Sequence, residues 1–305
     1  MPDQMGTPVD WSDSLGLART VVDDRETVVL HRPGNTTAHV ALSGGRDFDD
    51  LPGLLLAADG DPAAIRSGRP VEILERDLLP PVGRPQRIVG IGLNYPLHAQ
   101  ESGRPPVDYP ALFTKWPTSL TGPFADVVLP PESDQVDFEA ELVIVIGRPG
   151  RRIAPSDVAH HVFGYTIAND GSVRDFQQHT SQVVAGKAWD ALTPLGPAVV
   201  PAADLGGTTP DLELVGCLDD QIVQQDRTSN MMFPVARLVA YVSTITMLEP
   251  GDLILTGTPA GTGFLRKPPL FLKPGSRFEA RIEGIGAVRN AFVREGRGQP
   301  SPNHA

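Results

Sequence analysis

Short apolar runs, each closed by glycine or proline, dominate the pattern of this chain. Residues 142–146 are rich in β-branched side chains, precede Gly147 and Pro149, and are too few for a helix. This run therefore predicts a buried strand. Runs at 162–168 and 252–256 have the same character and predict two more.

Hairpin and helix signals fill much of the remaining chain. β-prone runs on both sides of residues 23–25 predict a hairpin, and a second one is predicted around residues 219–220. Residues 51–66 carry a weak helical pattern, and two closing strands are predicted within 278–293. A core helix is predicted after Pro234, where apolar residues recur at helical spacing: Val235, Leu238, Val239, Val242 and Ile245.

The proline-rich stretch at residues 79–85 is extended and stiff, which makes it the best candidate for a domain boundary. We expect a small N-terminal domain and linker over 1–85, a catalytic domain over 86–293, and a disordered tail over 294–305. The 31 glycines and 31 prolines indicate a turn-rich, strand-rich architecture. The sequence therefore predicts a mixed, β-rich (α+β) fold.

Composition excludes several classes of function. The net charge of −11 argues against binding to nucleic acid or to an anionic membrane. The single cysteine, Cys217, excludes an intrachain disulfide and a cysteine-based zinc cluster. No apolar run approaches the ~20 residues that span a bilayer, and the N-terminus lacks a signal-peptide pattern. We therefore expect a cytoplasmic protein.

Three acids stand beside the predicted central strands. Glu139 and Glu141 point to the same face because side chains alternate along a strand, and Asp170 ends the next apolar stretch. Neighbouring carboxylates in apolar surroundings repel each other and resist desolvation, so a cation between them is expected. Oxygen ligands suit Mg²⁺, with Mn²⁺ or Ca²⁺ as alternatives. The competing interpretation is a pair of solvated acids at a strand edge.

A second candidate group is His98 with Glu101, three residues apart. On a helical turn the carboxylate would orient the imidazole, which is the arrangement that a general base for water requires. Residues 102–109 are rich in glycine and proline and suit a mobile lid. The alternative is a solvated surface pair.

Two other features have competing interpretations. Lys187 lies between small residues and Trp189, which suggests that its ammonium is held in a fitted pocket. The alternative is a plain surface lysine. Gly90 and Gly92 follow a predicted strand, but Tyr95 occupies the third glycine position of a dinucleotide fingerprint. We reject nucleotide binding on that ground.

Taken together, these motifs resemble the fumarylacetoacetate hydrolase family. Each motif is weak alone, but their ordered combination over about residues 87–293 is specific. The matching stretches are Gly92-Leu93-Asn94-Tyr95 with His98 and Glu101, Phe138-Glu139-Ala140-Glu141-Leu142, Asn169-Asp170, Arg174-Asp175, Gly186-Lys187, Pro194-Leu195-Gly196-Pro197, Met232-Phe233, Pro250-Gly251-Asp252 and Thr256-Gly257-Thr258-Pro259.

The resemblance implies a β-roll catalytic domain, a small N-terminal domain and a homodimer. It implies that Glu139, Glu141 and Asp170 hold the cation, and that His98 and Glu101 activate water. It also assigns Lys187 to charge stabilisation. Five further residues are predicted to bind substrate: Tyr95, Lys115, Arg174, Gln177 and Thr258.

The function expected from these residues is hydrolysis of a C–C bond in a β-diketo acid of the acylpyruvate or fumarylpyruvate type. The partner would be a small anionic 2-oxo acid whose pyruvate enolate is stabilised by the metal. An oxaloacetate-type decarboxylase or a hydroxymuconate-type isomerase or tautomerase is the alternative, and a non-catalytic binder of 2-oxo acids is the second. Two departures from the family pattern, Gly171 and Trp189, predict a looser metal loop and a reshaped pocket.

Overall fold

The computed structural model describes residues 6–10, 14–105 and 107–295. Within these ranges the α-helices are α1 (Leu51–Ala57), α2 (Pro96–Glu101), α3 (Arg174–Gln177), α4 (Val184–Lys187) and α5 (Val235–Ile245). The strands are β1 (Thr7–Pro8), β2 (Gly16–Val22), β3 (Arg25–His31), β4 (Thr37–Leu42), β5 (Arg66–Glu72), β6 (Ile88–Gly92), β7 (Ala111–Thr114), β8 (Leu120–Thr121), β9 (Val127–Leu129), β10 (Val136–Asp137), β11 (Ala140–Ile146), β12 (Val162–Asn169), β13 (Ser172–Val173), β14 (Thr193–Pro201), β15 (Glu213–Leu218), β16 (Gln221–Arg227), β17 (Leu253–Leu255), β18 (Arg277–Ile282) and β19 (Gly286–Arg294).

Three sheets organise these strands. The largest has the order β1-β5-β4-β3-β2-β14-β12-β11-β17-β6-β7, with β8 paired alongside β14. A second sheet has the order β16-β15-β18-β19-β9, and β10 pairs with β13. Most neighbours are antiparallel, but three pairs among the described strands are parallel: β17 with β6, β19 with β9, and β14 with β8. The prediction of a mixed, β-rich fold is confirmed.

Both predicted hairpins are present. β2 pairs with β3, and β15 pairs with β16, each across a two-residue turn. The turn residues, Asp23-Asp24 and Asp219-Asp220, all have positive φ, between 48° and 65°. Aspartate tolerates this left-handed backbone better than most residues, and such turns match the twist of the flanking strands.

The central strand β11 is buried on both faces, which explains its unbroken apolar run. Leu142, Ile144 and Ile146 pack into a core with the second sheet and α5. Val143 and Val145 face the opposite way, into a core built with α1 and the N-terminal strands. Glu141 at the start of β11, and Glu139 directly before it, thus lie next to a strand that packs on both faces.

The N-terminal part joins the same sheet as the catalytic part, through pairing of Leu17 in β2 with Val199 in β14. The division into domains at residue 85 therefore stays a prediction. The last strand extends to Arg294, one residue into the predicted tail, and residues 296–305 of that tail lie outside the described ranges. Over those ranges, none of the helices combines the length and apolar character needed to cross a bilayer.

Candidate active site

A cavity of about 480 Å³ lies beside the polar end of β11. Glu139, Glu141 and Lys187 line its inner end. His98 contributes another part of the wall, and α3 together with the segment after it adds polar groups. The cavity therefore brings two of the three predicted acids, Glu139 and Glu141, and the predicted base His98 into one space.

Strand register places the three acids together. Ala140 of β11 pairs with Asn169 of β12, so the neighbours Glu139 and Asp170 are opposite each other, and the Asp170 N–H donates to the Glu139 carbonyl at 2.8 Å. One carboxylate oxygen from each of Glu139, Glu141 and Asp170 lies within 4.8 Å of the others. All three side chains are buried. This buried acidic triad suits a divalent metal ion.

Two basic side chains of the cavity wall, Lys187 and Arg174, form ion pairs with the triad acids Glu139 and Asp170. The Lys187 ammonium donates to Glu139 Oε2 and Asp170 Oδ2, both at 2.7 Å, and lies 5.1 Å from the centre of the Phe113 ring. Arg174 donates from Nη2 to Glu139 Oε1 at 2.6 Å. The charges of Lys187 and Arg174 outweigh burial and lower the pKa of Glu139 to about 2. Because each carboxylate oxygen has two acceptor sites, these contacts leave capacity for a metal.

Glu141 has a different environment, and it provides the test of metal fit. It accepts a hydrogen bond from the Gly257 N–H at 2.9 Å, but forms no ion pair within the described part of the chain. Burial, together with the charges of Asp170 and Glu139, raises the pKa of Glu141 well above its usual range. A buried carboxylate without a basic partner is unfavourable unless it is neutralised. A divalent cation would supply the missing charge.

Lys115 was predicted to contact substrate, but it lies behind the triad. The residue is 1% exposed, and its ammonium donates to Asp170 Oδ1 at 2.6 Å and also contacts the Lys187 carbonyl. Burial lowers the pKa of Lys115, against the opposing charge of Asp170. Lys115 is not among the residues that line the cavity. It orients Asp170 from behind.

Gly171 and Trp189, the two departures from the family pattern, do not have the expected effects on the metal loop and the pocket. A side chain at Gly171 would place Cβ 2.0 Å from the Leu192 carbonyl oxygen, so glycine permits close packing and does not loosen the loop. Trp189 packs edge-on against Phe176 at 5.0 Å and donates to the Ala185 carbonyl at 2.7 Å. It does not line the cavity.

His98 and Glu101 lie on one face of α2, as their spacing predicts. His98 Nδ1 is 3.4 Å from Glu101 Oε2, and that oxygen also accepts the Gly261 N–H at 3.1 Å. The second bond fixes the carboxylate, which in turn orients the ring. Nε2 remains the ring nitrogen not engaged by Glu101, and it is the atom available to move a proton.

The other predicted substrate residues divide into two groups. Gln177 and Arg174 line the cavity, and Arg174 Nη1 donates to Gln177 Oε1 at 2.8 Å. Thr258 also lines it, but its hydroxyl is already used: it donates to the Ala140 carbonyl at 3.0 Å and accepts from Gln224 at 2.7 Å. Thr258 therefore anchors its loop through its hydroxyl.

Tyr95 does not lie where a substrate contact requires it. Its side chain is fully buried in the apolar core and is not part of the cavity wall, and its hydroxyl has no hydrogen-bond partner among the described residues. Burial raises the pKa of this phenol far above its ordinary value. The predicted role of Tyr95 in binding substrate is not supported by this position.

Replacement of Tyr95 by phenylalanine should therefore leave KM and kcat within about twofold of wild type. The melting temperature should not fall, because a buried hydroxyl without a partner costs free energy in the folded state. Steady-state kinetics and thermal unfolding measure both. A large rise in KM would restore the substrate-binding role.

Two residues that the sequence interpretation did not assign complete the site. Asp137 is fully buried, accepts from Arg174 Nε at 2.8 Å, and accepts the N–H groups of Gly263 and Phe264 at 2.8 and 3.0 Å. Asn94 accepts the Phe233 N–H at 2.7 Å and donates to the Thr256 carbonyl at 2.8 Å. The signal for Asp137 was present, because it continues the alternation of the two strand acids by one more step.

A family model described as fumarylacetoacetate (FAA) hydrolase C-terminal matches residues 87–293. Among curated proteins, the Homo sapiens protein named oxaloacetate tautomerase FAHD2A, mitochondrial, is 41% identical over 221 residues. That match covers 72% of this chain and 70% of the human protein.

Solved structures show the same relationship. A fumarylacetoacetate hydrolase from psychrophilic Exiguobacterium antarcticum is 30% identical with a TM-score of 0.79, covering 92% of this chain and 100% of that one. A fumarylpyruvate hydrolase from Pseudomonas aeruginosa, in complex with Mn²⁺ and pyruvate, is 29% identical with a TM-score of 0.63. It covers 70% of this chain and 92% of that one. The predicted fold type is thereby confirmed.

Proposed function

This chain belongs to the fumarylacetoacetate hydrolase family, and from that membership we propose that it is a metal-dependent tautomerase that interconverts the enol and keto forms of a 2-oxo acid such as oxaloacetate. The ranking differs from the sequence-based expectation, which placed C–C hydrolysis first and tautomerisation among the alternatives. The name of the human relative, an oxaloacetate tautomerase, supports the change.

One observation carries the proposal: a single cavity contains an anion-stabilising end and a proton-transferring group. Lys187 and two acids of the triad line the inner end, and His98 lines the same space. Enol–keto exchange needs both elements, because negative charge develops on the 2-oxygen while a proton moves at the adjacent carbon.

The residues divide this work between them. Lys187 remains protonated, because the charges of Asp170 and Glu139 outweigh burial and raise the pKa of Lys187. Its ammonium would stabilise the charge that develops on the 2-oxygen. In the enol-to-keto direction the enol oxygen would release its proton to solvent water, and His98, oriented by Glu101, would deliver a proton through Nε2 to the carbon next to the carbonyl. The reverse direction removes the carbon proton to His98 and returns a proton from water to the oxygen. Arg174 and Lys115 keep the acids in place during these steps.

Glu139, Glu141 and Asp170 would hold the cofactor, for which we propose Mg²⁺. A cation there would supply Lewis-acid charge opposite the 2-oxo acid. The Mn²⁺ bound in the Pseudomonas aeruginosa structure supports a divalent ion of this type.

Hydrolysis of an acylpyruvate remains the second candidate function. The hydrogen-bonded pair of His98 and Glu101 is also the arrangement that activates water, and the Pseudomonas aeruginosa relative is a fumarylpyruvate hydrolase. The two activities differ in whether a water occupies the space next to His98 when substrate is bound. A non-catalytic binder is disfavoured, because binding alone does not require an oriented imidazole.

The test is a parallel assay of one protein preparation on three substrates. Decay of enol-oxaloacetate, release of carbon dioxide from oxaloacetate, and cleavage of an acylpyruvate are followed with and without Mg²⁺. We expect Mg²⁺-dependent tautomerisation to be the fastest reaction. Faster acylpyruvate cleavage would assign the protein as a hydrolase, and faster carbon dioxide release would assign it as a decarboxylase.

Two further expectations stay predictions. The human relative is named as mitochondrial, so the cytoplasmic location expected for this chain needs direct localisation of the protein. The expected homodimer is checked by light scattering of the purified protein. The net charge of −11 continues to argue against a nucleic-acid partner.

A further inference from the structure

Thr262 is a cavity residue whose polar group is unused. Its side chain is 1% exposed and lines the cavity, yet its hydroxyl has no hydrogen-bond partner among the residues that the structure describes. A buried hydroxyl without a partner costs free energy, and such groups in native proteins call for an explanation. A ligand oxygen in the cavity would supply the partner.

The loop that carries Thr262 is fixed on both sides of it. The Gly261 N–H donates to Glu101 of α2 at 3.1 Å, and the Gly263 N–H donates to Asp137 at 2.8 Å. Further back along the same loop, the Gly257 N–H donates to the triad acid Glu141. Thr262 is therefore held in the cavity wall between backbone contacts to Glu101 of α2 and to Asp137.

We propose that Thr262 determines specificity by donating a hydrogen bond to a second carboxylate on the substrate, at the end remote from the 2-oxo acid group. This inference rests on the proposed function, because the triad and Lys187 take the 2-oxo acid end. Arg104 is exposed and lines the same cavity, and no ion pair of Arg104 is present within the described ranges, so it offers positive charge to that carboxylate. The preferred substrate class is thus a short 2-oxo dicarboxylate.

The test compares two inert ligands of nearly the same shape. Malate carries the second carboxylate, and 2-hydroxybutyrate has a methyl group in its place. Their dissociation constants are measured by calorimetry in the presence of Mg²⁺, for wild type and for Thr262→Val, which keeps the shape of the side chain and removes the hydroxyl. Thr262→Ser, which keeps the hydroxyl, is the conservative variant.

We expect Thr262→Val to raise the dissociation constant for malate about tenfold, because one hydrogen bond to a charged group is lost. Binding of 2-hydroxybutyrate should change less than twofold, and Thr262→Ser should restore malate binding. The melting temperature should not fall. Thr166→Val is the matched control, because Thr166 is also a fully buried threonine with an unpartnered hydroxyl but lies outside the cavity wall. It should leave both affinities unchanged.

The assignment would be overturned if Thr262→Val weakened the binding of malate and 2-hydroxybutyrate equally, or weakened the binding of neither. A wild-type protein that binds malate no more tightly than 2-hydroxybutyrate would also overturn it. Binding is read without turnover, which separates this inference from the proposed function. A protein that shows the predicted discrimination but does not tautomerise oxaloacetate would refute the activity and leave the role of Thr262 intact.

Discussion

Glu141→Gln is expected to lower the affinity for Mg²⁺ by about a hundredfold or more and to reduce kcat/KM by about 10²–10³. Glu141 is the triad acid without a basic partner, so its charge has the least compensation from the protein and the most to gain from a cation. Calorimetric Mg²⁺ titration and steady-state kinetics measure the two effects.

Glu141→Gln should raise the stability of the metal-free protein and remove most of the stabilisation by Mg²⁺. In the metal-free protein the raised pKa of Glu141 favours the folded state below the ordinary carboxyl pKa of about 4.3, and this stability is lost as pH rises toward the raised value. Glutamine carries no charge, so metal-free Glu141→Gln should melt above metal-free wild type at neutral pH. Wild type should gain about 2.7 kcal/mol with Mg²⁺ at 100 times its Kd, and the variant should gain little.

The matched control is Glu132→Gln, which removes an exposed acid outside the cavity wall. It should change neither Mg²⁺ affinity nor activity. If Glu141→Gln retained full Mg²⁺-dependent stabilisation, the triad would not be the metal site.

His98→Ala is expected to reduce kcat by about 10²–10⁴, the usual contribution of a general acid–base group, while Mg²⁺ affinity stays within a few-fold of wild type. The imidazole lines the cavity and is oriented by Glu101, but it makes no contact with the triad among the described hydrogen bonds. Glu101→Gln should cause a smaller loss, because it disturbs the orientation of the ring and leaves the ring present.

His160→Ala is the control for this second prediction, since His160 is exposed and lies outside the cavity wall. Its kcat should equal that of wild type. Persistence of full turnover in His98→Ala would show that another group moves the proton.

The fold could be predicted largely from local signals. The run at 142–146 predicted a buried strand, and Asp-Asp pairs marked both two-residue hairpin turns. What local pattern could not supply was the order of strands in the sheet. Pairing of β14 with β2 joins residues that are more than 180 positions apart, and nothing in either strand alone specifies that partner.

The three acids of the site could be predicted because their positions follow from the alternation of side chains along neighbouring strands. Glu139 and Glu141 share a face for that reason, and Asp170 follows the partner strand. The roles of Lys115 and Tyr95 were not predictable, because burial behind the triad or within the core depends on packing of distant segments. The same holds for Gly90, where a side chain would place Cβ 2.1 Å from the Phe113 ring. Gly90 therefore permits the Phe113 ring of β7 to pack against β6.

Metal binding by the triad is tested most directly by a crystal structure with Mn²⁺ and oxalate, a planar mimic of the pyruvate enolate, with data collected for anomalous scattering from manganese. We predict one strong anomalous peak bound by oxygens of Glu139, Glu141 and Asp170, with oxalate between that peak and His98. If no anomalous peak were present at the triad at saturating Mn²⁺, and Lys187 still bridged Glu139 and Asp170, the triad would not be a metal site.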